Sequence, residues 1–195
     1  MSSEPKRSNE ERILEGVAVG YTPQPEPITD IPWTTPMEWA AANEALRHVV
    51  DVRKNDLGRA FEHAVGLMSS LSRLDGAMDE LCKGTCPWCA EPCCLHATVW
   101  VDFTDLLFMH LAGVRPPPTQ LRDSWSGPCH YAGPNGCRLP RASRAWVCNW
   151  YLCPTQKARM RKWPKTAKRD LELDLDRMAD GRRSMEKAFI AVVFS

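Results

Sequence analysis

The residues best suited to chemistry in this 195-residue chain are nine cysteines, which form two clusters between residues 82 and 153. The clusters read Cys82-x3-Cys86-x2-Cys89-x3-Cys93-Cys94 and Cys129-x7-Cys137-x10-Cys148-x4-Cys153. Loops of two to four residues let two thiolates converge on one ion at about 2.3 Å without straining the backbone. The spacing therefore predicts a zinc or iron–sulfur centre, and leaves these two open because thiolates suit both.

We expect eight of the nine cysteines to bind metal as thiolates. The candidate ligands are Cys86, Cys89, Cys93, Cys94, Cys129, Cys137, Cys148 and Cys153. The sequence does not decide whether Cys82 is a ligand or a buried free thiol, and His96 or His130 could replace a cysteine. Eight thiols suffice for two four-ligand sites, or for one site plus spare thiols. Because Cys93 and Cys94 are adjacent, their side chains diverge in most backbone geometries, so we do not expect both to bind one mononuclear ion.

The redox compartment decides whether these thiols are read as ligands or as disulfides. Residues 1–12 are polar and charged, no apolar signal region follows them, and no stretch approaches the 18 or so apolar residues of a spanning helix. We therefore expect a cytoplasmic protein without a membrane partner. In a reducing compartment, short paired spacings favour metal over disulfides, and an odd number of cysteines would leave one thiol unpaired.

The rest of the chain predicts a mainly α fold: a helical scaffold around a small, irregular cysteine-ligated metal centre, with few short strands. Residues 1–36 form a Pro-rich leader, in which Trp33 is expected to dock onto the body. Residues 37–81 predict a helical pair, because apolar residues recur at steps of three and four over 37–53 and again over 57–81. Residues 82–153 form the cysteine-cluster domain, and residues 154–195 a basic segment followed by a C-terminal helix.

Local signals predict several element boundaries. Alternation of Val99, Val101 and Phe103 indicates a short strand. Thr104 or Asp105 is expected to cap a helix over Leu106–Leu111 that ends at Gly113. In the C-terminal arm, Thr166 is expected to cap a helix in which Gly181 marks a kink and Arg182 lies on the apolar stripe.

One local charge pattern stands out against a net charge of only +1. Seven basic residues and no acidic ones lie between Lys157 and Arg169, with Trp163 among them. Basic residues beside an aromatic ring can bind phosphates and stack a base. The segment therefore suggests either nucleic acid or an acidic protein as partner, and we expect an unidentified protein partner.

The order of the cysteines resembles the YkgJ-type cysteine-cluster family of zinc- or iron-chelating proteins. The resemblance covers residues 82–153 and rests on Cys86, Cys89, Cys93 and Cys94, then Pro128-Cys129, Gly136-Cys137, and Arg144-Ala145-Trp146-Val147-Cys148 with Cys153. The chain departs from that pattern where Ala145 takes the place of proline and where one extra residue precedes Cys93. The resemblance implies metal chelation by these cysteines. A related cluster occurs in flagellin lysine methylases.

Three functions compete on this basis. A binding or adaptor module is favoured, because the sequence shows no acid–base or nucleophile set outside the cysteines. A metal-dependent enzyme modifying a protein side chain is the second, since Cys82-x3-Cys86-x2-Cys89 resembles the cluster motif of radical S-adenosylmethionine enzymes. The third is metal handling or sensing, because thiols beyond one site suit transfer by ligand exchange. No catalytic residue is identified.

Overall fold

The structure is a computed structural model that describes residues 31–195 and confirms the mainly α fold. Most of the Pro-rich leader, residues 1–30, lies outside the described residues. The helices are α1 (Pro36–Val52), α2 (Gly58–Thr85), α3 (Cys93–His96), α4 (Phe103–Leu111), α5 (Trp146–Trp150), α6 (Pro154–Met160) and α7 (Lys165–Val193). Short 3-10 turns cover Cys86–Trp88 and Arg141–Ser143, and β1 (Ala132–Gly133) pairs antiparallel with β2 (Gly136–Cys137).

The scaffold is built on the long helices α2 and α7, which run antiparallel. Arg53, just before α2, donates to the carbonyl of Val192 near the end of α7, and Arg73 further along α2 pairs with Asp174. The helices approach closely at Gly181, where an added Cβ would lie 3.2 Å from the Leu67 side chain. Gly181 thus permits close packing within a helix that is continuous from Lys165 to Val193, and the kink that the sequence suggested there stays a prediction.

Both helices predicted over residues 37–81 are present, although α2 packs mainly against α7 and α1 against α4. Helix α1 begins at a capping box. The Thr35 hydroxyl accepts from the Glu38 amide at 3.2 Å, and the Glu38 carboxylate accepts from the Thr35 amide at 3.1 Å. Trp33 packs against the core with its ring centroid 6.2 Å from that of Trp39, as expected of the docking residue. The buried Trp39 indole donates to the carbonyl of Pro117 at 2.9 Å, which ties α1 to the proline loop.

The strand predicted at residues 99–103 does not form, and this prediction was wrong. The Gln120 side chain takes the place of a neighbouring strand: its Oε1 accepts from the Val101 amide at 2.8 Å and its Nε2 donates to the Val101 carbonyl at 3.0 Å. Helix α4 instead begins at Phe103, capped by Asp102 in a box with Asp105, rather than by Thr104 or Asp105. Gly113 follows the helix with φ +66°, the left-handed conformation typical of a residue after a helix C-terminus.

The start of α7 also differs from the expectation. Pro164, not Thr166, occupies the cap position, because the helix begins one residue before Thr166. Arg182 lies on the inner face of α7, as its place on the apolar stripe predicted, and there it meets two carboxylates described below. None of the described helices is long and apolar enough to cross a membrane.

Candidate metal centre

The nine cysteines are free thiols carried by several short elements around the C-terminal end of α2. Helix α2 continues to Thr85, so Cys82 lies on its last turn and Cys86 follows one helical turn later. Cys93 and Cys94 open α3, while Cys148 lies within α5. The remaining thiols are Cys89 after the first 3-10 turn, Cys129 before β1, Cys137 in β2 and Cys153 at the N-cap of α6.

A first group of thiols forms where α2 ends. The nearby Cys86 thiol lowers the pKa of Cys82 to about 6, and Cys82 in turn raises the pKa of Cys86. Cys93 lies near enough to interact electrostatically with both. These three sulfurs come from two elements separated by the exposed loop of residues 87–91.

Cys153 joins this group through the buried side chain of Gln156. The Gln156 amide donates to the Cys153 sulfur at 3.4 Å, while its side-chain Nε2 donates to the Cys82 sulfur at 3.6 Å. The Gln156 Oε1 in turn accepts from the Cys153 amide at 3.1 Å. One glutamine therefore hydrogen-bonds sulfurs that lie 71 residues apart in sequence, and it holds α6 against the end of α2.

A second group consists of Cys94, Cys129, Cys137 and Cys148. The Cys129 amide donates to the Cys94 carbonyl at 3.1 Å, which brings the chain before β1 against α3. Burial raises the pKa of Cys148 to about 12, and the nearby Cys137 and Cys129 add to that rise. Cys94 likewise interacts with Cys137 and Cys148, so all four thiols share one neighbourhood.

The two groups adjoin each other. The Cys93 and Cys94 thiols act on each other, which lowers the pKa of Cys93 to about 6 and raises that of Cys94. Gly136 contacts the first group, since a Cβ added there would lie 3.7 Å from the Cys86 Cβ. Its φ of +105° is one that glycine adopts readily and other residues rarely do. This turn is the physical reason for the Gly-Cys pair at residues 136–137.

Buried arginines flank both groups. The Arg141 side chain is only 3% exposed and bonds Asp75 and Asp79 at 2.7 and 2.6 Å. Its Nη1 is buried without a hydrogen-bond partner among the described residues, and its charge helps to lower the pKa of Cys82. Arg122 is 1% exposed and donates to the carbonyl of Cys94 at 3.4 Å. Its Nε is likewise buried without a described partner, and its charge acts on Cys129.

A charged network positions α5 and therefore Cys148. Arg182 pairs with Asp102 and Asp105 at 2.5 Å each, and its guanidinium lies 5.6 Å from the Trp146 ring centroid. Asp105 also accepts from the Trp146 amide at 3.0 Å, two residues before Cys148. Burial raises the pKa of Asp105 to about 7, although the charge of Arg182 opposes that rise.

The remaining candidate ligands, Cys89, His130 and His96, lie outside these two groups. Cys89 is solvent-exposed, as is the adjacent Trp88 at 86%. His130 lies 3.0 Å from Asp123, and His96 is exposed at the end of α3. Within residues 31–195, no three Cys, His, Asp or Glu side chains already stand in the geometry of a metal site. For tetrahedral coordination at a metal–sulfur distance of about 2.3 Å, the sulfurs of one site would have to move to about 3.8 Å from one another.

Sequence reasoning did not find Gln156, Arg122 or Arg141 as part of this centre. Gln156 carries no local signal, because it meets Cys82 only through the packing of α6 on α2. The two arginines lie between or beside cysteines in the sequence, but nothing in the spacing indicates that their side chains are buried. A buried guanidinium beside thiols, with one nitrogen that has no hydrogen-bond partner among the described residues, is visible only in the fold.

Comparisons of the chain with protein-family models, with curated proteins and with solved structures found no match. The resemblance of residues 82–153 to the YkgJ-type family therefore stays a prediction.

Proposed function

We propose that this chain is a metal-binding protein whose clustered thiolates hold zinc or an iron–sulfur centre, and that it acts as a binding or adaptor module. The observation that carries the proposal is the gathering of eight of the nine thiols into two adjoining groups at the end of α2. Thiolate sulfur is the ligand that these metals favour. The centre would join α2, α3, α5, α6 and the β-hairpin.

The donor set fits such a group in charge as well as in chemistry. Four thiolates around a divalent zinc ion leave a net negative charge, which is costly to bury without a compensating cation. Arg122 supplies such a cation, because it forms no ion pair with a carboxylate among the described residues, whereas the charge of Arg141 is already shared with Asp75 and Asp79. In this arrangement arginine balances the negative charge of the thiolates, while the cysteines bind the metal.

The proposed setting is the reducing cytoplasm, where the thiols remain available to metal. Metal handling is the second candidate, because the exposed Cys89 and Cys93 offer thiols that an exchanging ligand could reach. An enzyme modifying a protein side chain is the third. Its radical S-adenosylmethionine form has less support, since Cys89 faces solvent whereas Cys82 and Cys86 are half-buried.

A partner surface lies next to the proposed centre. Five of the seven cations between Lys157 and Arg169 are exposed, and none of the seven pairs with a carboxylate of the described residues. Trp163 packs partly against the core, which limits its use as a platform for a nucleic-acid base. We therefore favour an acidic protein surface as the partner of this segment, with nucleic acid as the alternative.

The test of the metal proposal is folding with and without metal. Protein purified without oxygen, in reducing buffer, is treated with a strong chelator and then followed by near-ultraviolet circular dichroism and thermal melting. Because ligation stabilises the fold only when the site exists, we expect loss of tertiary signal and a lower Tm, restored by added zinc or by cluster reconstitution. An unchanged Tm and spectrum after complete metal removal would contradict the structural role.

A further inference from the structure

We propose that Arg122 couples metal binding to the stability of the fold. Its buried charge destabilises the metal-free protein, and it stabilises the form in which thiolates beside Cys94 and Cys129 bind metal. This role rests on the proposed metal binding, to which it adds a positioning residue that touches no metal itself. It also places negative charge, and therefore bound metal, next to these two cysteines.

The segment that carries Arg122 is buried and anchored. Arg122 is only 1% exposed, as is Gln120 two residues before it. The Leu121 amide donates to the Gln120 side chain at 2.9 Å, and the Leu121 carbonyl accepts from the His130 amide at 2.9 Å. These bonds hold residues 120–122 against the segment that contains Cys129, so the guanidinium lies inside the fold rather than at its surface.

The hydrogen-bond partners of this guanidinium are neutral and distant. Its Nη1 donates to the Trp125 carbonyl at 3.3 Å and its Nη2 to the Cys94 carbonyl at 3.4 Å, both long for an N–H···O bond. Its Nε is buried without a partner among the described residues. The neighbouring carboxylate of Asp123 is 71% exposed and lies 3.0 Å from the His130 ring instead. Within residues 31–195, Arg122 therefore forms no ion pair.

Two cysteines lie beside this unpaired charge. The carbonyl of Cys94 accepts from the Arg122 guanidinium and from the Cys129 amide, the latter at 3.1 Å, so one oxygen joins the arginine to both cysteines. Burial raises the pKa of the Cys129 thiol, and the charge of Arg122 opposes that rise. Thiolates formed here on metal binding would supply the anion that the guanidinium lacks.

The effect of this charge on stability depends on the bound metal. A buried cation without an anion is costly, and its replacement by an apolar residue of similar volume is often neutral or stabilising. Thiols release their protons to solvent as they bind metal, which places negative charge beside the arginine. Removal of the cation then leaves that charge uncompensated and is strongly destabilising. A role in packing alone would instead stabilise both forms alike.

The experiment measures the Tm of wild-type protein and of Arg122→Met with and without metal. Both proteins are purified without oxygen in reducing buffer, stripped with a chelator, and melted before and after reloading with zinc, or with a cluster where wild type carries iron. We expect Arg122→Met to lower the Tm of loaded protein and to leave the Tm of metal-free protein unchanged or higher. Equal decreases in both forms, or no decrease in the loaded form, would overturn the coupling. Wild-type protein that binds no metal would instead refute the proposed function.

The matched control is Arg73→Met, which removes an arginine that already has an anionic partner. Arg73 pairs with Asp174, whose side chain is 11% exposed, and also bonds Ser70. Since this ion pair joins α2 to α7 whether or not metal is bound, Arg73→Met should lower the Tm of both forms by similar amounts. A metal-dependent change of sign in this control as well would contradict a specific role of Arg122.

Zinc affinity tests the same role if Arg122→Met fails to fold or metal-free protein shows no cooperative melting. Wild type, Arg122→Gln and Arg122→Lys compete for zinc with a chromophoric chelator in reducing buffer. The neutral Arg122→Gln should bind zinc about tenfold or more weakly, because charges in a buried site interact strongly. Arg122→Lys, which keeps the charge, should recover most of the affinity. Wild-type affinity in Arg122→Gln, or equal weakening in both variants, would overturn the role of the charge.

Discussion

At the scale of single residues, buried arginines join different helices of this protein through ion pairs. The Arg182 side chain is only 15% exposed, and it bridges the carboxylates of Asp102 and Asp105 at the start of α4. One of them, Asp105, has a side chain only 5% exposed. A carboxylate in that position is stabilised by its cation and by the Trp146 amide, so removal of the cation leaves a buried charge uncompensated.

We predict that Arg182→Met lowers the free energy of unfolding by about 3 kcal/mol, because Asp105 would lose its charged partner. The matched control is Arg183→Met. Arg183 pairs with Asp180 on the exposed face of the same helix, with side-chain exposures of 64% and 73%, and its loss should cost under about 0.5 kcal/mol. Urea unfolding followed by circular dichroism measures both, and similar costs for the two variants would contradict the buried network.

Part of the candidate site could be predicted from the sequence. The paired short spacings point to thiolate ligation and to seven of the eight cysteines that the fold brings together. Cys82 could not be chosen over Cys89 from spacing, because the choice depends on α2 continuing to Thr85 and on Gln156 reaching back from α6. Both features depend on tertiary packing, as does the burial of the arginines.

At the scale of elements, the packing of α2 on α7 depends on a glycine. A Cβ at Gly181 would lie 3.2 Å from Leu67, a distance at which the leucine must shift. Gly76, on the exposed side of α2, has no atom within 4 Å of the same added Cβ. The two glycines thus differ in packing although both lie within long helices.

We predict opposite effects on the free energy of unfolding for Gly76→Ala and Gly181→Leu. Gly76→Ala should raise the free energy of unfolding by about 1 kcal/mol through helix propensity alone. Gly181→Leu should lower it by about 1–3 kcal/mol, because the larger side chain forces α2 and α7 apart. Thermal melting distinguishes them, with Gly76→Leu as the size control, and a stabilised Gly181→Leu variant would refute the close approach.

Elements with strong periodicity could be predicted, and elements that depend on distant side chains could not. The apolar stripes over residues 37–53 and 57–81 correspond closely to α1 and α2. The alternation at Val99, Val101 and Phe103 suggested a strand, but the partner of this segment is the side chain of Gln120. Val101 is buried without a neighbouring strand, whereas Phe103 is exposed and belongs to α4, so the alternation did not indicate a strand.

At the scale of the whole molecule, a nearly neutral chain concentrates positive charge on α6 and the start of α7. This basic surface, residues 157–169, adjoins the proposed centre: Arg159 donates to the carbonyl of Gly84, between Cys82 and Cys86. A partner held there would lie beside the thiol groups. Such a surface steers an acidic partner mainly through its rate of association.

We predict that Lys162→Glu with Lys165→Glu weakens binding to polyglutamate, used as a model acidic partner. Two exposed cations become anions, so the variant should elute from a polyglutamate column at lower salt than wild type. Lys187→Glu, an exposed change far along α7, is the control and should change elution less. Retention independent of salt, or an equal shift with Lys187→Glu, would contradict an electrostatic partner surface.

The most direct test of the central claim is the metal content of the whole chain, together with its visible absorption spectrum, on protein purified without oxygen. We predict stoichiometric metal: about two zinc ions in a colourless protein, or iron and sulfide with absorption near 400 nm in a brown one. Zinc would favour the structural or adaptor role, and iron–sulfur would favour redox chemistry or sensing. Protein that is folded, reduced and free of both metals would contradict the account.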